Sequence, residues 1–300
     1  MALEIALAEI QTIAPTLRNN FEGVADAVHR LSNEFGIQRD IVAEGVYQTL
    51  SNQVAQGAES FEFFTDAADL SIGAVMSADA AVNLLSSTIN SFGFASSQAA
   101  TISGKLFKTI ELGRLRGDEF ANTIGRVFVL ASQLGVSLDE ANASLATLTI
   151  SGLKYNEAAT LTTNIMLKLI RPTDALKDLM NEMGVATAEA GIQAFGFQGF
   201  LQKLRDEAGD TAESLGLVFG RVRAIRGVMG LTNEATERYQ KTLEALKKAG
   251  ATDILEAKEL IFKTNAKQVE IELTALKNVI VFDFGREALD VINKVFKTFG

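Results

Sequence analysis

The sequence predicts an all-α protein in which a compact multi-helix domain is flanked by long, amphipathic, coiled-coil-prone helices. Only two of its 300 residues are proline, well below the roughly 5% typical of globular chains, and residues of high helix propensity are abundant. Near both ends of the chain, apolar residues recur at alternating intervals of three and four. Between these regions, single glycines repeatedly stand between two apolar residues, which is typical of helix ends.

The N-terminal segment, residues 1–36, has the clearest periodicity, with apolar residues at the a and d positions of five heptads. Pro15 lies within this pattern and predicts a kink in one long helix. Periodicity leaves two interpretations open: a coiled coil between copies of the chain, or an amphipathic helix packed on its own domain. The candidate self-association seam consists of Leu3, Leu7, Ile10, Leu17, Phe21, Val24, Val28 and Leu31.

Residues 37–231 are predicted to form the compact domain of short helices. A glycine between two apolar residues predicts a helix that ends in the left-handed conformation, with the next apolar residue folding back on the last turn. Ser137 and Glu140 predict a capping box at the start of a helix. The glycine-rich stretch 189–199 is predicted to be a loop that could hold a short hairpin. The predicted structural turns lie at Gly36, Gly93, Gly135, Gly152, Pro172, Gly184 and Gly220.

Residues 232–300 are predicted to form a long helical C-terminal arm. We expect a helix over 233–248, a stop at Gly250, a longer helix over 253–281 and a helix-like stretch over 291–299. Such helices enclose little core alone, so they must pack on the preceding domain or on another chain. A second three-four seam consists of Val269, Leu273, Leu276 and Ile280, and the charged residues beside it are Lys267, Glu270, Glu272 and Lys277.

Charge and composition exclude several classes of function. A formal net charge of −9 opposes binding to duplex nucleic acid. The chain has no cysteine and a single histidine, His29, which removes the usual zinc sites and the common catalytic triads. We therefore expect no cofactor and no metal, and an intracellular location fits the absence of cysteine. No signal peptide is evident. No apolar stretch approaches the roughly 20 residues that a membrane helix needs.

Carboxylate pairs are the remaining candidates for catalysis. Asp178 with Glu182, or Asp139 with Glu140, could serve as acid and base. Acidic pairs on an acidic helical protein are usually solvated, and nothing distinguishes these two pairs from other carboxylates. The prediction is therefore that the chain is not an enzyme.

The most basic run, residues 220–227, is predicted to be an amphipathic helix. Arg223 and Arg226 would share one face, with Val222, Ile225 and Met229 on another. Contact of the arginine face with a polyanion or a protein partner is the alternative interpretation.

A series of turn and helix motifs runs in order through residues 37–231. The series begins with Asn90-Ser91-Phe92-Gly93-Phe94 and Gln98-Ala99, and continues with the stretch 131–140, Ile150-Ser151-Gly152-Leu153-Lys154, the helix 161–169, Arg171-Pro172-Thr173, the element 179–185 and Phe219-Gly220-Arg221. In this order the motifs resemble the core domain of tail tape measure proteins of long-tailed bacteriophages. The charged residues Glu111, Arg114, Arg116 and Asp118 depart from the family pattern, which there is rich in small and amide residues.

The resemblance implies a structural protein of the virion tail that is assembled in the host cytoplasm, lies in the lumen of the tail tube, sets tail length and leaves ahead of the DNA. It also implies self-association and contacts with tail tube, tail chaperone and baseplate or tail-tip proteins. Tape measure proteins are usually much longer than 300 residues, so we expect an N-terminal portion of a longer protein. The alternatives are a helical adaptor and a peptidoglycan-associated module of a tail or tail-like particle.

Overall fold

A computed structural model describes residues 2–209, 211–220 and 222–280, and within these ranges the chain forms helices and no strand. The predicted all-α class is therefore confirmed. The predicted helix-like stretch 291–299 and the last residue of the predicted helix 253–281 lie outside the described residues. In chain order, helices α1 to α18 span Ala2–Ile13, Phe21–Phe35, Arg39–Ser51, Glu59–Gly73, Ala78–Phe92, Ala99–Gly113, Gly117–Thr123, Gly125–Gln133, Leu138–Ile150, Tyr155–Ile170, Asp174–Glu182, Ala188–Phe195, Phe197–Ala208, Ala212–Phe219, Val222–Leu231, Thr236–Lys248, Ala251–Phe262 and Asn265–Val279.

The N-terminal segment is two helices, so the prediction of one kinked helix is wrong. Helix α1 ends before Pro15, which opens a short 3-10 turn, and the side chain of Asn20 then caps α2 by accepting a hydrogen bond from the Gly23 N–H at 3.1 Å. Proline lacks an N–H, and a new N-cap five residues later makes the interruption complete. Both α1 and α2 pack on α3.

The glycines predicted at turns all have positive φ values, between 65° and 97°. At Gly93, for example, the N–H of Phe94 donates to the carbonyl of Ile89 at 3.1 Å, which closes the last turn of α5. A side chain would strain this left-handed conformation. The glycines therefore allow short helices to end abruptly and the chain to change direction. They are Gly36, Gly93, Gly135, Gly152, Gly184 and Gly220.

Side chains cap several of the helices that follow these turns. The predicted capping box of α9 is confirmed: the Glu140 N–H donates to Ser137 Oγ at 3.3 Å, and Glu140 Oε2 accepts from the Ser137 N–H at 3.0 Å. The second oxygen, Oε1, accepts from the N–H of Phe197 at 2.8 Å, at the start of α13. One carboxylate thus caps two helices. Pro172 lies just before Thr173, whose hydroxyl caps α11.

The stretch 189–199 is helical, so its prediction as a loop is wrong. Helices α12 and α13 meet at Gly196, whose φ is 72°. Ile192, Phe197 and Phe200 are buried. Packing of these apolar side chains outweighs the low helix propensity of the neighbouring glycines.

The C-terminal arm is also divided, so the single long helix predicted over 253–281 is wrong. Helix α17 ends at Phe262, and the hydroxyl of Thr264 starts α18 by accepting from the Lys267 N–H at 3.3 Å. Neither flank of the chain is one long helix, since their helices have 12 to 15 residues each.

One hydrophobic core extends from Leu7 in α1 to Ile254 in α17. Helix α9 lies inside this core and packs on α6, α8, α10 and α16. Both flanking segments thus contribute apolar side chains to the core of the central segment. Two arrangements were left open for the C-terminal helices, and α17 adopts the first of them, because it lies against α4 and α6 of the preceding segment.

Two glycines allow α17 and the turn before it to lie unusually close to the domain. A Cβ atom at Gly104 in α6 would overlap the carbonyl oxygen of Gly250, and one at Gly73 in α4 would overlap the side chain of Ile254. The close approach lets Lys105 Nζ donate to the carbonyl of Leu246 at 2.9 Å. The backbone contact at Gly104 therefore sets the position of α17.

A buried charge cluster lies where α4 meets α17. Lys258 Nζ donates to Asp69 Oδ1, and both side chains are largely buried. Asp66 lies one turn earlier on α4, where burial and the negative charges of Asp69 and Glu62 raise its pKa to about 6. Burial also raises the pKa of Asp69, although the hydrogen bond from Lys258 opposes this rise. The cluster therefore places two acidic side chains beside one lysine.

We predict that Gly104→Ala lowers the free energy of unfolding by about 2 to 3 kcal/mol, because the added methyl group must push α6 away from the Gly250 carbonyl. Chemical denaturation measures the change. Gly216→Ala is the matched control: this glycine is also helical, but a Cβ there meets no atom within 4 Å. The control is expected to raise stability by about 0.5 to 1 kcal/mol. Equal effects of the two substitutions would contradict the close contact.

We predict that Asp66→Asn stabilises the protein at pH 7 and has little effect at pH 4. The folded state raises the pKa of Asp66 to about 6, so between pH 4 and 6 it binds more protons than the unfolded state. The free energy of unfolding then falls as the pH rises through this window. After allowance for solvent screening, the gain at pH 7 is about 1 to 2 kcal/mol.

Thermal unfolding of wild type and Asp66→Asn from pH 4 to pH 7 measures this difference. Glu59→Gln is the control, because Glu59 lies on the same helix but is exposed, and its effect should stay within about 0.5 kcal/mol. A difference between wild type and Asp66→Asn that does not change with pH would contradict the prediction.

Candidate assembly surface

The last two described helices carry a group of exposed apolar side chains, which we call the C-terminal apolar surface. Their exposed fractions lie between 44% and 71%. Large apolar side chains are often exposed singly, but several on two consecutive helices are typical of an interaction site. The residues are Leu255 and Leu260 on α17 and Val269, Leu273, Leu276, Val279 and Ile280 on or just after α18.

Helix α18 is held on the domain by its polar side. Asn278 Nδ2 donates to Ser32 Oγ at 2.8 Å and to Asn33 Oδ1 at 2.6 Å, and both partners lie on α2. The hydroxyl of Thr274 donates to the carbonyl of Gly36 at 3.3 Å. A surface helix of a globular protein ordinarily buries its apolar side. In α18 Ile271 lies against Gly36 on the domain side, but most of the large apolar side chains face solvent.

The exposed residues of α18 include the complete second seam predicted from the sequence, here called the C-terminal seam. Val269, Leu273, Leu276 and Ile280 are each about half exposed, and their spacing of four, three and four corresponds to heptad positions d, a, d and a. Between these positions, Glu270, Glu272 and Lys277 are charged and exposed. The C-terminal seam therefore has the pattern of a coiled-coil interface with no helix of the described chain covering it.

The charges beside the C-terminal seam complement one another between parallel copies. In this register Glu272 occupies a g position and Lys277 the following e position, and both are exposed. In a parallel coiled coil, a g residue faces the following e residue of the partner helix. Glu272 of one copy would therefore face Lys277 of a second copy, and the reciprocal pair would also form.

The candidate self-association seam of the N-terminal segment, here called the N-terminal seam, differs from the C-terminal seam because its side chains are covered by the chain itself. Six of its eight residues are buried, whereas Leu3 is partly buried and Phe21 is 36% exposed. Helices α1 and α2 use this seam to pack on α3. A coiled coil through the same residues would have to displace these contacts. The buried members are Leu7, Ile10, Leu17, Val24, Val28 and Leu31.

The carboxylates considered as acid-base pairs occupy structural or exposed positions. Asp139 forms an ion pair with Lys105 at 2.8 Å, and Glu140 caps two helices. Asp178 and Glu182 are exposed on α11. The structure thus brings neither pair into a buried cleft.

His29 lies on α2 and is half-buried, with the side-chain nitrogen of Asn33 at 3.2 Å from its Nε2. Within the described residues, no group of three or more His, Cys, Asp and Glu side chains is arranged to hold a metal ion. In the same part of the chain, no single helix is long and apolar enough to cross a membrane, and α4 with α5 meets that test only as a pair bent by 118°.

The basic run forms helix α15, but the apolar face predicted for it is not the buried one. Val222 and Met229 are 72% and 46% exposed and Ile225 is partly buried, whereas Ala224, Gly227, Val228 and Leu231 are buried. Gly227 lets this second face lie close to α10. Arg226 forms an ion pair with Glu157 at 2.8 Å. Arg221 of the same run lies outside the described residues.

Comparisons with known proteins agree with the turn series. A family model described as phage-related minor tail protein matches residues 25–220. The chain is 24% identical over 184 residues to the tape measure protein of Pneumococcus phage Dp-1, covering 59% of this chain and 16% of that protein. It is 23% identical over an alignment of 319 residues to the probable tape measure protein of Clostridium phage phiCD119, covering 98% of this chain and 34% of that protein. No solved structure is significantly similar.

The chain spans about a third or less of the length of these two curated relatives. The family match covers about two thirds of the chain and includes nearly all of the turn motifs on which the resemblance to tape measure proteins rests. That resemblance is confirmed, and the chain belongs to the phage-related minor tail protein family.

Proposed function

We propose that the chain is a segment of a tape measure protein and acts as a helical module in the assembly of a phage tail. Membership of the minor tail protein family and two relatives that carry the tape measure name support this role. Because the chain spans at most 34% of those relatives, the module is one part of a longer protein.

The whole protein would be assembled in the host cytoplasm, lie in the lumen of the tail tube, set tail length and leave ahead of the DNA. Its proposed partners are tail tube, tail chaperone and baseplate or tail-tip proteins. An α-helix rises about 1.5 Å per residue, so a largely helical protein converts chain length into distance. The compact segment described above would serve mainly to hold copies together, since its helices fold back on one another.

The observation that carries this proposal is the outward-facing C-terminal seam. A seam with heptad spacing, exposed on a helix whose polar side is bound to the domain, supports association of α18 with α18 of further copies. Copies that lie along one tube would point in the same direction. The Glu272 and Lys277 positions favour the same parallel arrangement.

The proposal assigns no reaction to the chain. Glu140 and Asp139 stabilise helices and helix contacts through the hydrogen bonds and the ion pair described above. The role is therefore mechanical: rigid packing of short helices positions one association surface.

We predict that wild type associates at micromolar concentration and that the double variant Leu273→Glu/Leu276→Glu is monomeric. Both leucines are exposed, so the substitutions should leave the fold intact, but they place four carboxylates in the core of a two-stranded seam. Sedimentation velocity measures the association. Leu217→Glu on α14, at 70% exposure, is the matched control and should associate like wild type. A wild-type protein that stays monomeric would contradict self-association through α18.

Charge exchange tests the parallel register. Glu272→Lys is expected to weaken association about fivefold, because two opposite-charge contacts become repulsive. Exchange of both charges, Glu272→Lys/Lys277→Glu, should restore it. Failure of the double exchange to restore association would contradict the parallel arrangement.

We predict that in-frame deletion of residues 37–231 from the parent gene in the phage prevents formation of normal tails. Removal of the module leaves copies without the domain that positions the C-terminal seam. Negative-stain electron microscopy of lysates gives tail number and tail length. Wild-type protein supplied in trans should restore both, and the Leu273→Glu/Leu276→Glu variant should restore fewer tails. Tails of unchanged number and length after the deletion would refute the proposed function.

A further inference from the structure

Helix α15 carries an exposed stripe of apolar and basic side chains, here called the α15 stripe. Val222 and Met229 are exposed, and Ile225 lies between them and is partly buried. Spacings of three and four place these three residues on one side of the helix. Arg223 and Arg226 border them and are exposed. The α15 stripe therefore has the pattern of a helix face that packs on another surface, but the described residues leave it open to solvent.

An apolar groove of about 860 Å³ lies where the first turns of α3 and α5 meet the last turn of α4 and the junction of α17 with α18. Its volume is within the range of about 300 to 1,000 Å³ that is common for binding sites. Helix α15 packs on α10, α14 and α13, so the groove and the α15 stripe belong to different parts of the molecular surface. The large apolar side chains that line the groove are Ile37, Ile41, Ile72, Val75, Met76 and Ile261.

Val75 lines this groove in an unfavourable backbone conformation. Its φ is 54°, in the left-handed region that β-branched residues rarely adopt. Glycine is the usual residue at such a helix end, which here is closed by the Met76 N–H donating to the carbonyl of Ser71 at 2.9 Å. The Val75 side chain is 77% exposed, so it adds little to the core of its own copy. A strained valine that stays in solvent is better explained by a contact with another surface.

The charges around the groove are mainly negative. Glu44, Asp79, Asp118 and Glu270 line it and are exposed, and Lys267 is the one cation among its described lining residues. Lys267 Nζ forms an ion pair with Glu270 at 3.2 Å. The other three carboxylates therefore give the groove a negative potential. This charge opposes nucleic acids and anionic membrane surfaces, and it favours an occupant that is both apolar and basic.

The α15 stripe of a second copy has both of these properties. We propose that α15 of one copy docks in the groove of the next copy, with its apolar side chains against the isoleucines and Val75 and its arginines beside the carboxylates. Because the two surfaces differ, a joined pair still offers one free groove and one free stripe, and further copies can add in the same direction. This contact extends the proposed assembly, but it uses no residue of the C-terminal seam and does not depend on association of α18.

The contact between α15 and the groove is weak on its own. Helix α15 has 10 residues and is about 15 Å long. One helix of this length buries less area than the roughly 1,200 Å² of a stable interface. The contact therefore leaves the Leu273→Glu/Leu276→Glu variant monomeric at micromolar concentration, and its detection requires covalent trapping at higher concentration.

Cysteine cross-linking tests the contact, because the chain has no cysteine of its own. Gln38→Cys marks the groove, since Gln38 lines it, is exposed and makes no capping hydrogen bond. Met229→Cys marks the α15 stripe. Both are made in the full chain that carries Leu273→Glu/Leu276→Glu, so that α18 does not join the copies. The two proteins, which carry different affinity tags, are mixed with a short bismaleimide at about 0.3 mM, where contacts of submillimolar Kd are populated.

The mixture is expected to give at least ten times more cross-linked mixed dimer than Gln38→Cys with Val129→Cys. Val129 is the matched control, because it lies on α8 and is 48% exposed. A yield equal to that of the control would overturn the proposal, and it is the result expected if the groove serves a different protein. Cross-linking of Gln38→Cys copies to one another at the yield of the mixture would also overturn it.

Charge reversal distinguishes the proposed docking from chance collisions. Arg223→Glu in the copy that supplies the stripe should lower the yield about fivefold, because it adds repulsion from the groove carboxylates. Arg226 is left unchanged because it pairs with Glu157 of its own copy. Glu44→Lys in the copy that supplies the groove should restore the yield. A yield that Arg223→Glu does not lower, or that Glu44→Lys does not restore, would refute the inference.

Val75→Gly separates the contact from folding. Glycine adopts a φ of 54° without strain, so the thermal midpoint of the variant should equal or exceed that of its parent. The cross-linking yield with Met229→Cys should nevertheless fall about threefold, because the groove loses an exposed apolar side chain. An unchanged yield in this variant would contradict docking of α15 against Val75.

Discussion

The contact between Gly104 and the Gly250 carbonyl is the constraint on which the C-terminal half of the molecule depends. Two backbones approach there more closely than any side chain would allow. This approach brings α17 against α4 and α6 and lets Lys258 reach Asp69. Since α18 follows α17 after the cap at Thr264, the same contact sets the position from which α18 begins. The hydrogen bonds of Asn278 and Thr274 then decide which side of α18 faces solvent.

The same docking imposes an electrostatic cost. Lys258 neutralises Asp69, but Asp66 shares the site without a cation of its own, and burial makes its charged form unfavourable. Lys258 also lies over the rings of Phe35 and Phe262, at 4.9 and 5.4 Å from their centroids. The cation-π interaction with these rings partly offsets the loss of hydration of the Lys258 side chain. The cluster thus fixes α17 at one position and makes that position sensitive to pH.

Helix ends and helix caps could be predicted from the sequence because residues adjacent in the chain determine them. The helix end at Gly93 and the capping box at Ser137 each need only a few consecutive residues. By contrast, the second oxygen of Glu140 caps a helix that begins at Phe197, fifty-seven residues later. No local pattern carries that information.

Which face of a helix is buried could not be predicted where small residues decide it. Gly227 lies against Ile165 of α10, and a Cβ there would crowd that side chain. The larger Val222 on the same helix is exposed instead. The buried face also contains Val228 and Leu231, which are fully buried. The sequence of α15 therefore offers two apolar faces, and the close approach at Gly227 decides which of them is buried.

The two seams have the same heptad periodicity, but one is buried and the other is exposed. The N-terminal seam is buried because α3 offers it an apolar surface. The C-terminal seam faces solvent because Asn278 and Thr274, on the other side of α18, find hydrogen-bond partners on α2. Each such bond contributes only about 1 kcal/mol, because water competes for the same groups. Full burial of one leucine contributes about 1.5 to 3 kcal/mol. Burial of the half-exposed seam in the proposed association would therefore contribute a free energy comparable to that of the hydrogen bonds that hold α18 on the domain.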